Sequence, residues 1–207
     1  MYARTTTVQA DPQRIDAGIA YVRDEVMPAV QDMEGCIGLS MLCDRDSGRC
    51  IVTTSWASEE AMHATADKVR GMRERAADVF GGGFDVQEWE VGAMHRYATA
   101  GDDACARVTW SRIRDTSRID TVLDAWKMNV PAKLEAMDGF CSVSLMMDRA
   151  TGRAVGTATF ADRAAMDGAR EAMRATREKF AETMEVEILE VAEFDLAIHH
   201  LRVPEMV

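Results

Sequence analysis

The sequence predicts an α+β protein: two ferredoxin-like βαββαβ repeats whose antiparallel sheets pack into one intramolecular α+β barrel. Three observations predict it. The chain repeats itself at an offset near 104: Met33-Glu34-Gly35 returns as Met137-Asp138-Gly139, and Asp44-Arg45 with Gly48-Arg49 returns as Asp148-Arg149 with Gly152-Arg153. Each copy alternates helix-period and strand-period segments in the same order. A four-stranded sheet with helices on one face leaves its other face bare, and a second copy in the same chain can cover it.

The first strands are Ala3 to Gln9 and Ala106 to Ile113. Asp11 then caps a helix with Pro12 in its first turn. Ile15, Ile19, Val22, Val26, Val30 and Met33 follow helical spacing, and Ile119, Leu123, Trp126, Val130, Leu134 and Met137 repeat those six positions. Pro28 and Pro131 fall late in these helices and are expected to kink or end them. A hairpin follows in each copy. Ile37, Leu39, Met41 and Cys43 alternate on one face of its first strand, as do Cys141, Val143, Leu145 and Met147. The segments from Asp44 to Gly48 and from Asp148 to Gly152 supply the turns, and Cys50 to Trp56 and Ala154 to Phe160 return. Ser58 and Asp162 cap second helices. Last strands are expected at Val86 to Val91 and Val186 to Val191, with Glu90-Val91 matched to Glu190-Val191. The organisation read from this is a first repeat over 1–97, a linker over 98–104 and a second repeat over 105–207.

Composition narrows the function. The net charge is −11, with −6 over residues 1–100 and −5 over the remainder, so nucleic acid and acidic membrane surfaces are not expected partners. No apolar run reaches the roughly 20 residues of a membrane span, and the start lacks a signal-peptide pattern, so a cytoplasmic protein is expected. The five cysteines contain no C-x-x-C, and none has a histidine at ligand spacing. Cys43 and Cys50 could face each other across the hairpin turn, though buried free thiols are the reading preferred. No metal and no cofactor are expected.

The segments Gly35 to Leu42 and Ile51 to Ala61, with Gly139 to Leu145 and Gly156 to Met166 in the second copy, resemble the antibiotic biosynthesis monooxygenase family of the dimeric α+β barrel superfamily. The Trp56-x-Ser58-x-Glu60-Ala61 junction is typical of it. The resemblance implies a cavity between each sheet and its helices. It implies oxidation of quinols or polycyclic phenols by dioxygen without a cofactor in one branch, and haem degradation in another. This chain departs from both patterns. Asn129 is its sole asparagine and lies late in a helix, and the positions matching the haem branch's tryptophan and histidine fall near Thr65 and Glu74, or Ala169 and Glu178.

The function expected is a cofactor-independent monooxygenase-like protein acting on a small aromatic or quinol substrate. The alternative is a non-catalytic small-molecule or haem-binding protein on the same scaffold. Arg4 and Arg107 occupy one repeat position on otherwise Thr- and Val-rich strands and could steady a phenolate, or pair structurally with Asp or Glu. His63 could take a proton, or sit on a solvent flank. Thr6, Trp110 and Trp56 are the expected substrate-lining residues, Trp56 being also a packing position because its repeat partner is Phe160. His63 has Asp167 as its counterpart and Thr7 has Trp110, so any ligand is expected mainly in the first half, near Arg4, Thr6 and His63. A pseudo-dimer within one chain is expected, with a homodimer of chains left open.

Overall fold

The computed structural model describes residues 1–201. Its first repeat runs β1 (Tyr2–Gln9), α1 (Ile15–Tyr21), α2 (Met27–Gln31), β2 (Cys36–Cys43), β3 (Arg49–Trp56), α3 (Glu59–Ala64), α4 (Ala66–Phe80) and β4 (Phe84–Arg96). The second runs β5 (Cys105–Ile113), α5 (Ile119–Glu135), β6 (Phe140–Asp148), β7 (Arg153–Phe160), α6 (Arg163–Gly168), α7 (Arg170–Met184) and β8 (Val186–Leu201). The hydrogen-bonded strand order is β1-β3-β2-β8-β5-β7-β6-β4, a closed antiparallel barrel. No helix among the described residues is long and apolar enough to cross a membrane.

The caps lie where the sequence places them. Asp11, Ser58 and Asp162 each accept a backbone N–H from the first turn that follows, satisfying donors a helix start leaves open. The hairpin turns are pinned by Asp44 and Asp148, whose Oδ1 atoms accept the backbone N–H of Asp46 and Ala150 at 3.0 and 2.9 Å. Gly48 closes its turn at φ +77°, and a Cβ there would stand 2.3 Å from the Ala10 carbonyl oxygen, so glycine is required twice over. The two prolines act differently. A wide π-turn over Val22–Val26 precedes Pro28 and divides the first helix into α1 and α2. Pro131 sits inside α5, which continues to Glu135.

The last strands correct the sequence reading. β4 extends to Arg96 and β8 to Leu201, well past the five or six residues their apolar alternation suggests. Register also moves the repeat match. Glu90 pairs with Met147 and Asp195 with Cys43, so Glu90 corresponds to Asp195, not Glu190, and Glu88 to Glu193. The second copy carries one more residue on the way from helix to paired strand: Glu88 lies eight positions after Phe80, and Glu193 nine after its counterpart Met184, with Glu185 making the turn at φ +57°.

Two compact units result. The first comprises Met1–Trp89 with residues 194–201, and the second Glu90–Glu193. In the first unit, β1 pairs β3, β3 pairs β2, and β2 takes the C-terminal part of β8. In the second, β5 pairs β7, β7 pairs β6, and β6 takes the C-terminal part of β4. Val8, Ile15, Val22, Leu39, Met41 and Phe80 are buried in the first unit's core. Ile119, Leu123, Trp126, Leu134, Leu145 and Met147 are buried in the second's. Both sets are largely the stripes read from the sequence, and their burial supplies the main drive for folding.

Candidate functional site

Each unit holds a cavity between its sheet and its helices. The cavity of the second unit is about 110 Å³ and that of the first about 50 Å³. The difference follows from residues at matched positions. On the returning strand of the hairpin, Ala154, Gly156 and Ala158 face the second cavity. Their partners at offset 104 are Cys50, Val52 and Thr54, of which Val52 and Thr54 line the first cavity. A Cβ at Gly156 would meet nothing closer than the Ser144 carbonyl at 4.0 Å, so this glycine leaves unfilled space above the sheet. The first unit also inserts Phe80, fully buried, against Gly18, where a Cβ would fall 1.9 Å from the ring. The larger space therefore lies in the second half, against the expectation that a ligand has more room beside Thr6.

The arginines of the first strands are buried in both units, 4% and 3% exposed. Arg4 donates from Nε and Nη2 to Glu88 at 2.9 and 2.7 Å, and from Nη2 to the Met62 carbonyl at 3.0 Å. Arg107 repeats this with Glu193 at 3.1 and 2.8 Å and with the Met166 carbonyl at 3.2 Å. Both line their cavities. One contact differs. The Arg107 Nη1 lies 3.2 Å from the Met173 thioether, whereas Val69 occupies that position in the first unit and Arg4 Nη1 is left without a hydrogen bond. Burial raises the carboxyl pKa of Glu88 and Glu193, but hydrogen bonds and charge from the arginines outweigh it and hold both below the ordinary range.

The remaining expected residues are placed as follows. Thr6 lines the first cavity. His63 is about half exposed, outside the cavity, with Nε2 2.9 Å from Glu88 Oε2. It thus touches the site only through the Glu88 carboxylate. Trp56 is fully buried in a cluster with Val30, Met62 and Val69, and its Nε1 donates to the cavity hydroxyl of Thr54 at 3.1 Å. It packs behind the wall rather than forming it. Trp110 is not a cavity residue. Thr109 and Ser111 on either side of it face the cavity, so strand alternation turns the indole to the opposite face.

Sequence reasoning missed three features. Arg73 and Arg177 line the two cavities from α4 and α7 at one matched position. Glu88 and Glu193 hold the buried arginines. Gly156 leaves open space in the second cavity. The repeat itself carried the signal for the first two, because a charged residue kept at one position in both copies of an otherwise divergent surface helix or strand is a site candidate. Burial lowers the guanidinium pKa of Arg73 and Arg177, and the nearby charge of Arg4 or Arg107 lowers it further.

An antiparallel barrel backed by helices, with a cavity between sheet and helices in each unit, defines an α+β barrel protein. Residues 1–68 match the model of the antibiotic biosynthesis monooxygenase family, which places the first repeat in that family, and the second half repeats the same fold. Two uncharacterized proteins of Mycobacterium tuberculosis are relatives along the whole chain. One is 47% identical, with 100% of this chain and 92% of its own length covered; the other is 45% identical, covering 100% and 88%. Among solved structures, a Lactobacillus acidophilus protein described as a monooxygenase candidate aligns at TM-score 0.71 and 10% identity, over 100% of this chain and 98% of its own. An anthrone oxidase-like protein aligns at 0.65 and 15%, over 96% and 92%. A haem-degrading enzyme of Listeria monocytogenes aligns at 0.52 and 8%, over 94% and 98%. These likenesses concern the fold.

Proposed function

We propose that the chain is a cofactor-independent monooxygenase-like protein that acts on a small aromatic or quinol substrate in the cavity of its second unit. The observation that carries this reading is the cavity. Its walls are apolar, from Trp126, Val130, Leu145 and Phe180, and a buried guanidinium, Arg107, stands at one side. Such a space excludes water, and the two guanidinium groups that line it, Arg107 and Arg177, favour the anion of a phenol. An electron-rich anion of this kind can itself reduce dioxygen. With an anthrone, a ring CH₂ becomes a carbonyl, one oxygen atom enters the product and the other leaves as water. The family supports the chemistry, and so does the fold shared with an anthrone oxidase-like protein.

The second reading, a non-catalytic binder of small aromatic molecules, is favoured by one observation. Among the described residues, no carboxylate and no imidazole lines either cavity, so neither holds a side-chain base or a haem-ligating histidine. Oxygen uptake separates the two readings. The purified chain is incubated under air with anthrone and with a naphthohydroquinone, and uptake is compared with a protein-free control. Uptake above the control that disappears in Gly156→Leu, which fills the cavity, is the outcome expected. No uptake with any member of the series, while the cavity still binds aromatic probes, would leave the binder.

A further inference from the structure

Arg107 cannot serve as the main anchor of an anionic ligand, because its bonding is already committed. Glu193 neutralises it, and the Met166 carbonyl and the Met173 thioether take further contacts. Arg177 is in the opposite condition. It lines the same cavity from α7, yet it forms no ion pair or hydrogen bond with any described residue. Its sequence neighbour Glu178 is engaged elsewhere, accepting from Arg174 at 3.0 and 2.9 Å. A half-buried cation beside a second guanidinium, with the charge of Glu178 nearby but no hydrogen-bonded carboxylate among the described residues, is an arrangement that an incoming anion relieves.

We propose that the second cavity is a site for aromatic carboxylates, the ring lying against Trp126 and Phe180 and the carboxylate meeting Arg177, with the hydroxyl of Thr176 beside it. The proposal rests on the reading that this cavity is the ligand site, and it names the class of ligand. Guanidinium and carboxylate pair through two parallel N–H donors, which suits a planar acid better than a neutral quinol. Burial and the nearness of Arg107 disfavour the charge of Arg177 and outweigh the support of Glu178, and a bound carboxylate would favour that charge. The first unit lacks the same opportunity. Arg73 reaches back to the Val69 and Ala66 carbonyls at 3.5 and 3.4 Å, and its cavity is less than half the volume.

Calorimetric titration of the full chain with 1-naphthoate and with the neutral isostere 1-naphthamide tests this. The wild type is expected to bind naphthoate about tenfold more tightly than the amide, the gain of one charge-assisted pair. Arg177→Met should remove that preference and leave amide affinity unchanged, and Arg177→Lys should keep part of it. Arg73→Met should change nothing, and Gly156→Leu should abolish binding of both probes. The proposal is overturned if the wild type shows no preference for the acid. It is also overturned if Arg177→Met weakens both probes equally, or if naphthoate binding survives Gly156→Leu. The monooxygenase reading fails separately: a chain that binds naphthoate through Arg177 but consumes no oxygen with the quinol series loses only that reading.

Discussion

Arg4 closes on Glu88 through two nitrogens, Nε at 2.9 Å and Nη2 at 2.7 Å. The second repeat makes the same pair from Arg107 and Glu193, so two copies that have diverged widely keep one buried cation and one carboxylate in register. The environments differ. Glu88 is 40% exposed and shares its other oxygen with His63, whereas Glu193 is 21% exposed and also pairs with Arg163 and Arg170.

That difference predicts unequal costs. Each deletion strands a buried guanidinium, so Glu193→Ala should destabilise the chain by about 3 kcal/mol and Glu88→Ala by about 2 kcal/mol, the latter less because Glu88 is the more solvated carboxylate. Urea unfolding at pH 7 measures both. The sign with pH follows from the folded carboxyl lying below its unfolded value. The contribution of Glu193 is fully present above about pH 4.3, the ordinary glutamate value, and is lost as pH falls through the folded pKa. The gap between wild type and Glu193→Ala should therefore narrow on acidification below pH ~4. A gap that stays constant down to the acid transition would show that the carboxylate charge is not its source.

The cavities should be exchangeable in size. Phe80→Ala removes the ring that fills the first unit and should cost about 4 kcal/mol, a large deletion at a fully buried site. It should also create a second stoichiometric site for 1-naphthamide. Titration of the double variant Phe80→Ala/Gly156→Leu would then find only the new site. If Phe80→Ala loses stability without gaining a site, the residue packs the core without limiting the cavity.

Much of this arrangement is legible in the sequence because the duplication acts as its own comparison. The six matched apolar positions of α1–α2 and α5, the alternating hairpins and the capping residues Ser58 and Asp162 all report local periodicity and local hydrogen bonding. The lengths of β4 and β8 were not legible. Residues 92–96 and 194–201 become strand because β6 and β2 offer them unpaired edges, and that is a tertiary condition. The site was half legible. Arg4 and Arg107 stand out on apolar strands, but Arg177 on an amphipathic helix reads as one more solvated charge until the cavity beneath it is seen. Trp110 misled because its bulk is visible in sequence and its direction depends on register.

A prediction about thiols follows from the hairpin. Asp44 N–H donates to the Arg49 carbonyl at 2.8 Å, so the next pair, Cys43 and Cys50, sits at a non-hydrogen-bonded position. Such pairs bring Cα atoms to about 4.5 Å, within the span a disulfide bridges. Both thiols are free and buried. Hydrogen peroxide should therefore join them: the thiols give up two protons and two electrons, and the peroxide leaves as two waters. Thiol titration after unfolding should show two groups lost in the wild type and restored by dithiothreitol. Cys50→Ser should retain its remaining thiols under the same mild exposure. Equal loss in that variant would place the oxidation elsewhere.

The exchanged strands make the firmest prediction about folding. A fragment of residues 1–97 keeps β1, β2, β3 and β4 but loses the part of β8 that pairs with β2 from Gly38 to Cys43. It also loses β6, the partner of Glu90 to Arg96. Each fragment thus has an open edge on β2 and a free strand end on β4. The register makes these complementary, because Glu90 corresponds to Asp195 and so can meet Cys43 of a second copy as Asp195 does in the intact chain. An unpaired β2 edge with a matching free strand is a template for pairing between chains. Residues 1–97 should therefore form a symmetric dimer by mutual strand exchange, concentration-dependent in its stability. Stopping the fragment at Trp89 removes the exchanging segment and should leave an aggregating species instead. Sedimentation of the two fragments decides the matter. A stable monomer of residues 1–97 would mean that the β2 edge does not need the strand that β8 supplies.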